Sequence, residues 1–163
     1  MEEEITEIVK KHGWYAASIY DNQPPFLYSI GLMQTFNHPE FILFGLEPKY
    51  AHALISELVR DIRAGKSFTQ PDKTAVSVDG NEHRIGMRPV HPTQHELHLG
   101  FAMGYCRYIG QTDELRAMQV FWPDRYGKFP FESGCNLDVY QLQPRLDINL
   151  TPTELRQWRR QWE

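Results

Sequence analysis

Cysteine is scarce in this chain of 163 residues: Cys106 and Cys135 are the only two, and they form no CxxC pair. That leaves no disulfide framework and no thiolate zinc site, and two free thiols point to a reducing, cytoplasmic setting. Long apolar runs are missing too. The longest, Phe41–Leu46, falls far short of the roughly 20 residues that span a bilayer. The opening Met1-Glu2-Glu3-Glu4 has the wrong charge for a secretory leader, and no apolar stretch follows it. Positive charge is also in short supply. Lys and Arg total 17 against 21 Asp and Glu, for a formal net charge of −4, and no run of basic residues occurs. The electrostatic footprint of a duplex nucleic-acid binder is therefore absent, and an acidic whole disfavours a membrane surface. Internal repeats, low-complexity tracts and linkers are lacking as well.

What is present suits one packed domain. Apolar residues make up 41% of the chain and aromatics 13%, enough to bury a core at this length without staples. Residues 3–12 predict a short helix with Ile5, Ile8 and Val9 on one side and Gly13 as its stop. From Trp14 the period changes: WYAASIYD and FLYSIGLMQTF read as two strands joined by Asp21-Asn22-Gln23-Pro24-Pro25. After a His-Pro break, FILFGL is an unbroken apolar run, the mark of a strand buried on both faces. Pro48 then opens the clearest helix. Ala51, Leu54, Ile55, Leu58, Val59 and Ile62 form its stripe, and Gly65 ends it.

TAVSVDGNEHRIGMRPV reads as a hairpin around Asp79-Gly80-Asn81. Residues 91–110 fit two periods. Leu97, Leu99, Phe101, Met103 and Tyr105 alternate like a strand, whereas His91-Pro92 is a helix entry and Ala102, Tyr105, Cys106 and Ile109 share a helical face; helix is the expectation. MQVFW is a further strand and DVYQLQ the last, with the loop PDRYGKFPFESG between them. Thr151-Pro152-Thr153-Glu154 is a capping box that starts a terminal helix with Leu155, Trp158 and Trp162 along one side. The fold class expected is α+β, a curved and largely antiparallel sheet with packed helices, with a barrel-like closure as its variant.

Three ordered blocks, HGW at 12–14, PPFLYSIGL…NHPEFILFGL at 24–46 and VFWPDRYGKFPFE at 120–132, closed by QP at 143–144, resemble a bacterial family catalogued as domain of unknown function 4262. The resemblance covers roughly residues 12–145 and implies homology without implying an activity. The opening order of elements is also similar to that of FMN-binding split barrels, a likeness of topology without a flavin fingerprint.

Four constellations are candidates for chemistry. His38-Pro39-Glu40 offers a base and an acid beside the Ser29 hydroxyl, which requires them within about 3 Å of one another. The plainer reading is that Pro39 holds His38 extended and ends a strand, while Ser29–Gly31 permits a close backbone approach. The loop Trp122–Glu132 combines two prolines, several rings and the charges of Asp124, Arg125 and Glu132, which suits a planar polar ligand; otherwise its rings fold back over the core. His91, His95 and His98 fall on one side of a helix, a spacing able to hold Zn²⁺ or Ni²⁺, although HExH is not the HExxH of metalloproteases, and exposed polar residues are the commoner outcome. Arg156, Arg159 and Arg160 lie opposite the tryptophans of the terminal helix, a face suited to homodimer contact or to docking on its own domain.

The leading expectation is a cytoplasmic domain that binds a small ligand or a protein partner. Its pocket would lie between residues 28–40 and 122–132 and would use Tyr28, Ser29, Gly31, His38, Trp122, Asp124, Arg125 and Phe131. The competing expectation is an enzyme, either an FMN-dependent oxidoreductase or a hydrolase built on His38, Glu40 and Asp124.

Overall fold

The computed structural model describes residues 1–160, apart from the side chain of Trp158. Helix α1 (Glu2–His12) leads into strands β1 (Tyr15–Ile19) and β2 (Phe26–Ile30), the short helix α2 (Leu32–Phe36) and strand β3 (Glu40–Phe44). Helix α3 (Pro48–Arg63) follows, then the hairpin of β4 (Asp72–Val78) and β5 (Asn81–Pro89). A 3₁₀ turn (Pro92–Gln94), α4 (His95–His98) and α5 (Gly100–Tyr108) precede β6 (Ala117–Phe121), and α6 (Leu137–Leu142) and α7 (Pro152–Arg160) close the order.

The six strands lie in the order β1-β2-β3-β6-β5-β4. Four of the neighbouring pairs are antiparallel, and β3 with β6 is the one parallel pair, in register from Glu40↔Ala117 to Leu43↔Val120. The α+β expectation holds. The barrel-like variant does not: the sheet is open, with β1 and β4 at its edges.

Strand side chains alternate between faces, so the central strands feed two cores. Tyr28, Ile30, Ile42, Phe44 and Ala117 join Ile5 and Val9 of α1 and Ala102 and Tyr105 of α5 on one face. Leu27, Phe41, Leu43, Met118 and Val120 meet the apolar stripe of α3 on the other. Helices cover both faces, which is why all five residues of β2, β3 and β6 are buried and why each strand is mostly apolar, with Ser29, Glu40 and Gln119 the polar exceptions.

Of the expected strands, one is helical in its second half and another is a helix. FLYSIGLMQTF is a strand only to Ile30; Gly31 turns the chain at φ 103, and Leu32–Phe36 coil into α2. At Gly31 a Cβ would lie 2.7 Å from a methyl of Val9, so both conformation and space call for glycine. Residues 138–143 belong to α6, whose start is capped by the Asn136 side chain accepting from Asp138 N–H at 2.9 Å, and to the residue that follows it. The expected helix in residues 91–110 is present as α4 and α5. Thr151 and Glu154 bond each other's backbone N–H at 3.2 and 3.3 Å, the reciprocal geometry of a capping box. The tryptophan side of the terminal helix falls outside the described part, since Trp162 lies beyond residue 160. Among the described residues no helix is long and apolar enough to cross a membrane.

Candidate functional site

Glu40, the first residue of β3, has its side chain 3% exposed and surrounded by donors. One carboxylate oxygen accepts from Ser29 Oγ–H at 2.8 Å and Leu32 N–H at 3.1 Å. The other accepts from Gly31 and Met33 N–H, each at 3.2 Å. Glu40 is thus an internal cap for the first turn of α2, which also explains why the strand ends where it does. Burial pushes its pKa up to about 7 against these four bonds, which pull it down. Ser29 is committed on both sides, because its Oγ also accepts from Phe41 N–H at 2.8 Å.

His38 lies apart from this cluster of bonds. Its Nε2 accepts from Phe68 N–H at 2.9 Å, which leaves the proton on Nδ1 to be donated to the Pro39 carbonyl at 2.8 Å. The ring packs against Phe41 and Phe68, and burial lowers its pKa, so it is a neutral imidazole with both nitrogens in use. Asp124 is placed further away still. Glu40 opens β3 opposite Ala117, whereas Asp124 comes three residues after Phe121, the last residue of β6, so the two belong to opposite ends of a parallel pair about 13 Å long. The structure joins Ser29 to Glu40 and brings neither His38 nor Asp124 to them.

The Trp122–Glu132 loop is held by its own polar groups. Asp124 is buried, with one oxygen accepting from Tyr126 and Lys128 N–H, both at 2.9 Å, and the other from Asn136 N–H at 2.8 Å. These bonds, those from Lys128 and Asn136 foremost, keep its carboxyl below the ordinary range. Trp122 donates Nε1–H to the Phe44 carbonyl at 2.8 Å, and Gln143 brackets its backbone with two bonds of 2.9 Å. Phe131 folds back over the sheet, stacked on Phe129 and capped by the Arg88 guanidinium at 4.2 Å. Gly86 makes room for it: a Cβ there would sit 2.7 Å from the Phe131 ring.

A cavity of about 740 Å³ opens where β3 and β6 end together. Its walls are the first turns of α3 with Lys49 and Tyr50, the turn and start of the β4–β5 hairpin with Asp79 and Arg84, and the loop from Trp122 to Gly127. Of the residues expected from sequence, Trp122, Asp124 and Arg125 line it; Tyr28, Ser29, Gly31, His38 and Phe131 do not. Tyr28 is in the core, where its hydroxyl accepts from Phe101 N–H at 3.0 Å and burial raises its pKa. The space beside Glu40, Gly31 and Tyr105 admits no molecule, with a volume of about 0 Å³. Two walls of the cavity escaped the sequence reading. Tyr50 standing off the apolar stripe of its helix, 60% exposed, was the one local signal for them.

The three histidines do not converge. His91 caps the 3₁₀ turn through Thr93, His95 is buried, and His98 stands edge-on to Phe26 and Phe44 with its pKa pushed down to about 4 by burial. Among the described residues no three His, Cys, Asp or Glu side chains meet in a metal-binding arrangement.

Comparison with known proteins finds no matching curated protein and no matching solved structure. A family model described as domain of unknown function (DUF4262) matches residues 8–136, from within α1 through the Trp122 loop, stopping short of Gln143-Pro144 and α7. With most of its length inside that match, including β1 to β6 and all three cavity walls, the chain belongs to the DUF4262 family.

Proposed function

We propose that this protein is a cytoplasmic domain that binds a small organic ligand in the cavity at the end of the parallel strands. The observation that carries the reading is the cavity itself: about 740 Å³ lies within the range of small-molecule sites. Its position agrees with a general property of sheets containing parallel strands, whose carboxyl ends leave a crevice between diverging connections. Here β3 runs into α3 and β6 into the Trp122 loop, and the crevice lies between them. The loop wall is rigid, since Asp124, Trp122 and Gln143 use their polar groups to fix it, so little order has to be gained on binding. Cys106 and Cys135 are unpaired, which supports the cytoplasmic setting.

The test is native mass spectrometry of protein purified from its own source, beside an Ala53→Trp variant that fills the cavity from the α3 wall. The expected outcome is a co-purified small molecule in the parent, absent from the variant, with both showing the same far-ultraviolet circular dichroism. A fragment screen in which no compound shifts the amide resonances of the cavity walls would overturn the reading.

A further inference from the structure

The charges of the cavity carry the reading one step further. Each of its walls contributes a cation: Lys49 on α3, Arg84 on β5 and Arg125 on the loop. Among the described residues none of the three makes an ion pair. The two guanidinium groups rest instead on rings, Arg84 at 5.7 Å from the centre of Phe129 and Arg125 at 5.2 Å from that of Tyr126. Such contacts at exposed sites contribute about 0.5–1 kcal/mol, less than a guanidinium gains from a carboxylate or phosphate it can grip with two N–H groups.

The acidic groups are arranged differently. Asp124 spends both oxygens on three backbone N–H groups. Asp79 and Glu82 are confined to the hairpin wall, and neither pairs with a cation in the described residues. Among the residues that line the cavity, the α3 wall and the loop wall therefore present Lys49 and Arg125 and no free carboxylate. Those same two walls hold the rings. Tyr50 and Tyr126 are 60% and 76% exposed, and Trp122, its N–H already given to Phe44, has only its aromatic surface to offer.

Resting on the ligand-binding reading above, we infer that the occupant is a planar aromatic molecule bearing an anionic group, a carboxylate or a phosphate. The ring lies against Trp122, Tyr50 and Tyr126, and the anion is held by Lys49 and Arg125, with Arg84 reaching in from the hairpin. Tyrosine and tryptophan faces supply area at low conformational cost. The unpaired cations gain a partner that the protein withholds from them.

Three probes that share a naphthalene ring and carry a small substituent of different charge test this: 2-naphthoate, uncharged 2-naphthylmethanol and cationic 2-naphthylmethylamine, titrated at low salt while the Trp122 indole and the Ala53 and Tyr126 amides are followed by NMR. The naphthoate is expected to shift these signals and to bind about ten-fold tighter than the alcohol, the preference of a charge-assisted contact. The pair of substitutions Lys49→Gln and Arg125→Gln is expected to abolish that preference, and 0.5 M salt to weaken it. Equal binding of naphthoate and alcohol, or tighter binding of the amine, overturns the anionic ligand and leaves the cavity reading standing. Silence from all three probes at these residues counts against both. The substituted side chains are exposed, and an unchanged amide spectrum elsewhere verifies that the variant is folded.

Discussion

Glu40 holds a carboxyl where water cannot reach it and four donors can. Its pKa, raised from 4.5 to about 7, means that the folded chain binds the proton more tightly than the unfolded chain. The stability this contributes is therefore complete below about pH 4.5 and lost as the pH rises through 7. The shift corresponds to about 3 kcal/mol. Burial lowers the pKa of His38, His95 and His98, so these imidazoles act with the opposite slope: they stabilise fully above their ordinary 6.5, and that contribution is lost as the pH falls through their lowered folded values. A single pH profile sums the two effects; the difference between the parent and Glu40→Gln isolates the carboxyl. In urea denaturation series from pH 4.5 to 8, the stability of the parent relative to the variant is expected to fall with rising pH. A flat difference would show that Glu40 is ionised throughout, its donors outweighing its burial.

Among the elements, the segment after α6 shows how a chain docks without becoming a strand. Gln119, buried in β6, donates to the Pro144 carbonyl at 2.7 Å and accepts from Leu146 N–H at 2.8 Å. One side chain thus does for residues 144–146 what a neighbouring strand would do. Gln143 repeats the device on the backbone of Trp122. Gln119→Ala strands a buried donor and a buried acceptor together, and is expected to cost about 1–3 kcal/mol. The amide of Leu146 should lose its exchange protection selectively; loss of less than about 0.5 kcal/mol would mean that water replaces the glutamine. The same region explains one expectation that failed. DVYQLQ alternates over too few residues to separate strand from helix, and a cap at Asn136, with the bonds of Gln119 and Gln143 fixing the chain on either side, decides for helix. At α2 the deciding group was Glu40, which offers its carboxylate to three successive N–H groups from eight residues or so downstream.

For the whole molecule, the boundary of the family match and the boundary of the fold differ. The match ends at residue 136, yet Leu146 is 2% exposed in the core beneath β2 and β3, and its carbonyl accepts from His91 N–H at 2.8 Å. Leu150 N–H and the Ile148 carbonyl are bonded to Thr93 and Gln94. Helix α7, in contrast, reaches the rest of the described chain through the exposed Arg159–Glu96 pair, an interaction of a kind that contributes at most about 1 kcal/mol. A chain ending at Leu150 is therefore expected to unfold within about 1 kcal/mol of the full protein. One ending at Asn136 is expected to lose about 3 kcal/mol or more, through the missing Leu146 and the orphaned Gln119 side-chain amide and Trp122 backbone groups. Denaturant midpoints of the two truncated chains check this, and equal losses would put the fold's boundary elsewhere.

The sequence by itself determined what rests on near neighbours. Periodicity located α1, α3 and the buried strands, Pro48 and Asp79-Gly80 marked a helix start and a hairpin turn, and Thr151 and Glu154 announced their cap. Trp122, Asp124 and Arg125, which line the cavity, stood out as candidates in the sequence because rings and charges crowd one proline-bounded loop. Tertiary structure alone decided the parallel pairing of β3 with β6, which more than 70 intervening residues separate in sequence. That pairing places the α3 start and the β4–β5 hairpin around the loop and makes the cavity. It also sends Glu40 and Asp124 to opposite ends of the paired strands, and so divides PPFLYSIGLMQTFNHPE, which ends in a buried cap, from the cavity-lining loop with which it was expected to share a pocket. Contacts of that range depend on which strands meet, and no local pattern of residues encodes the choice.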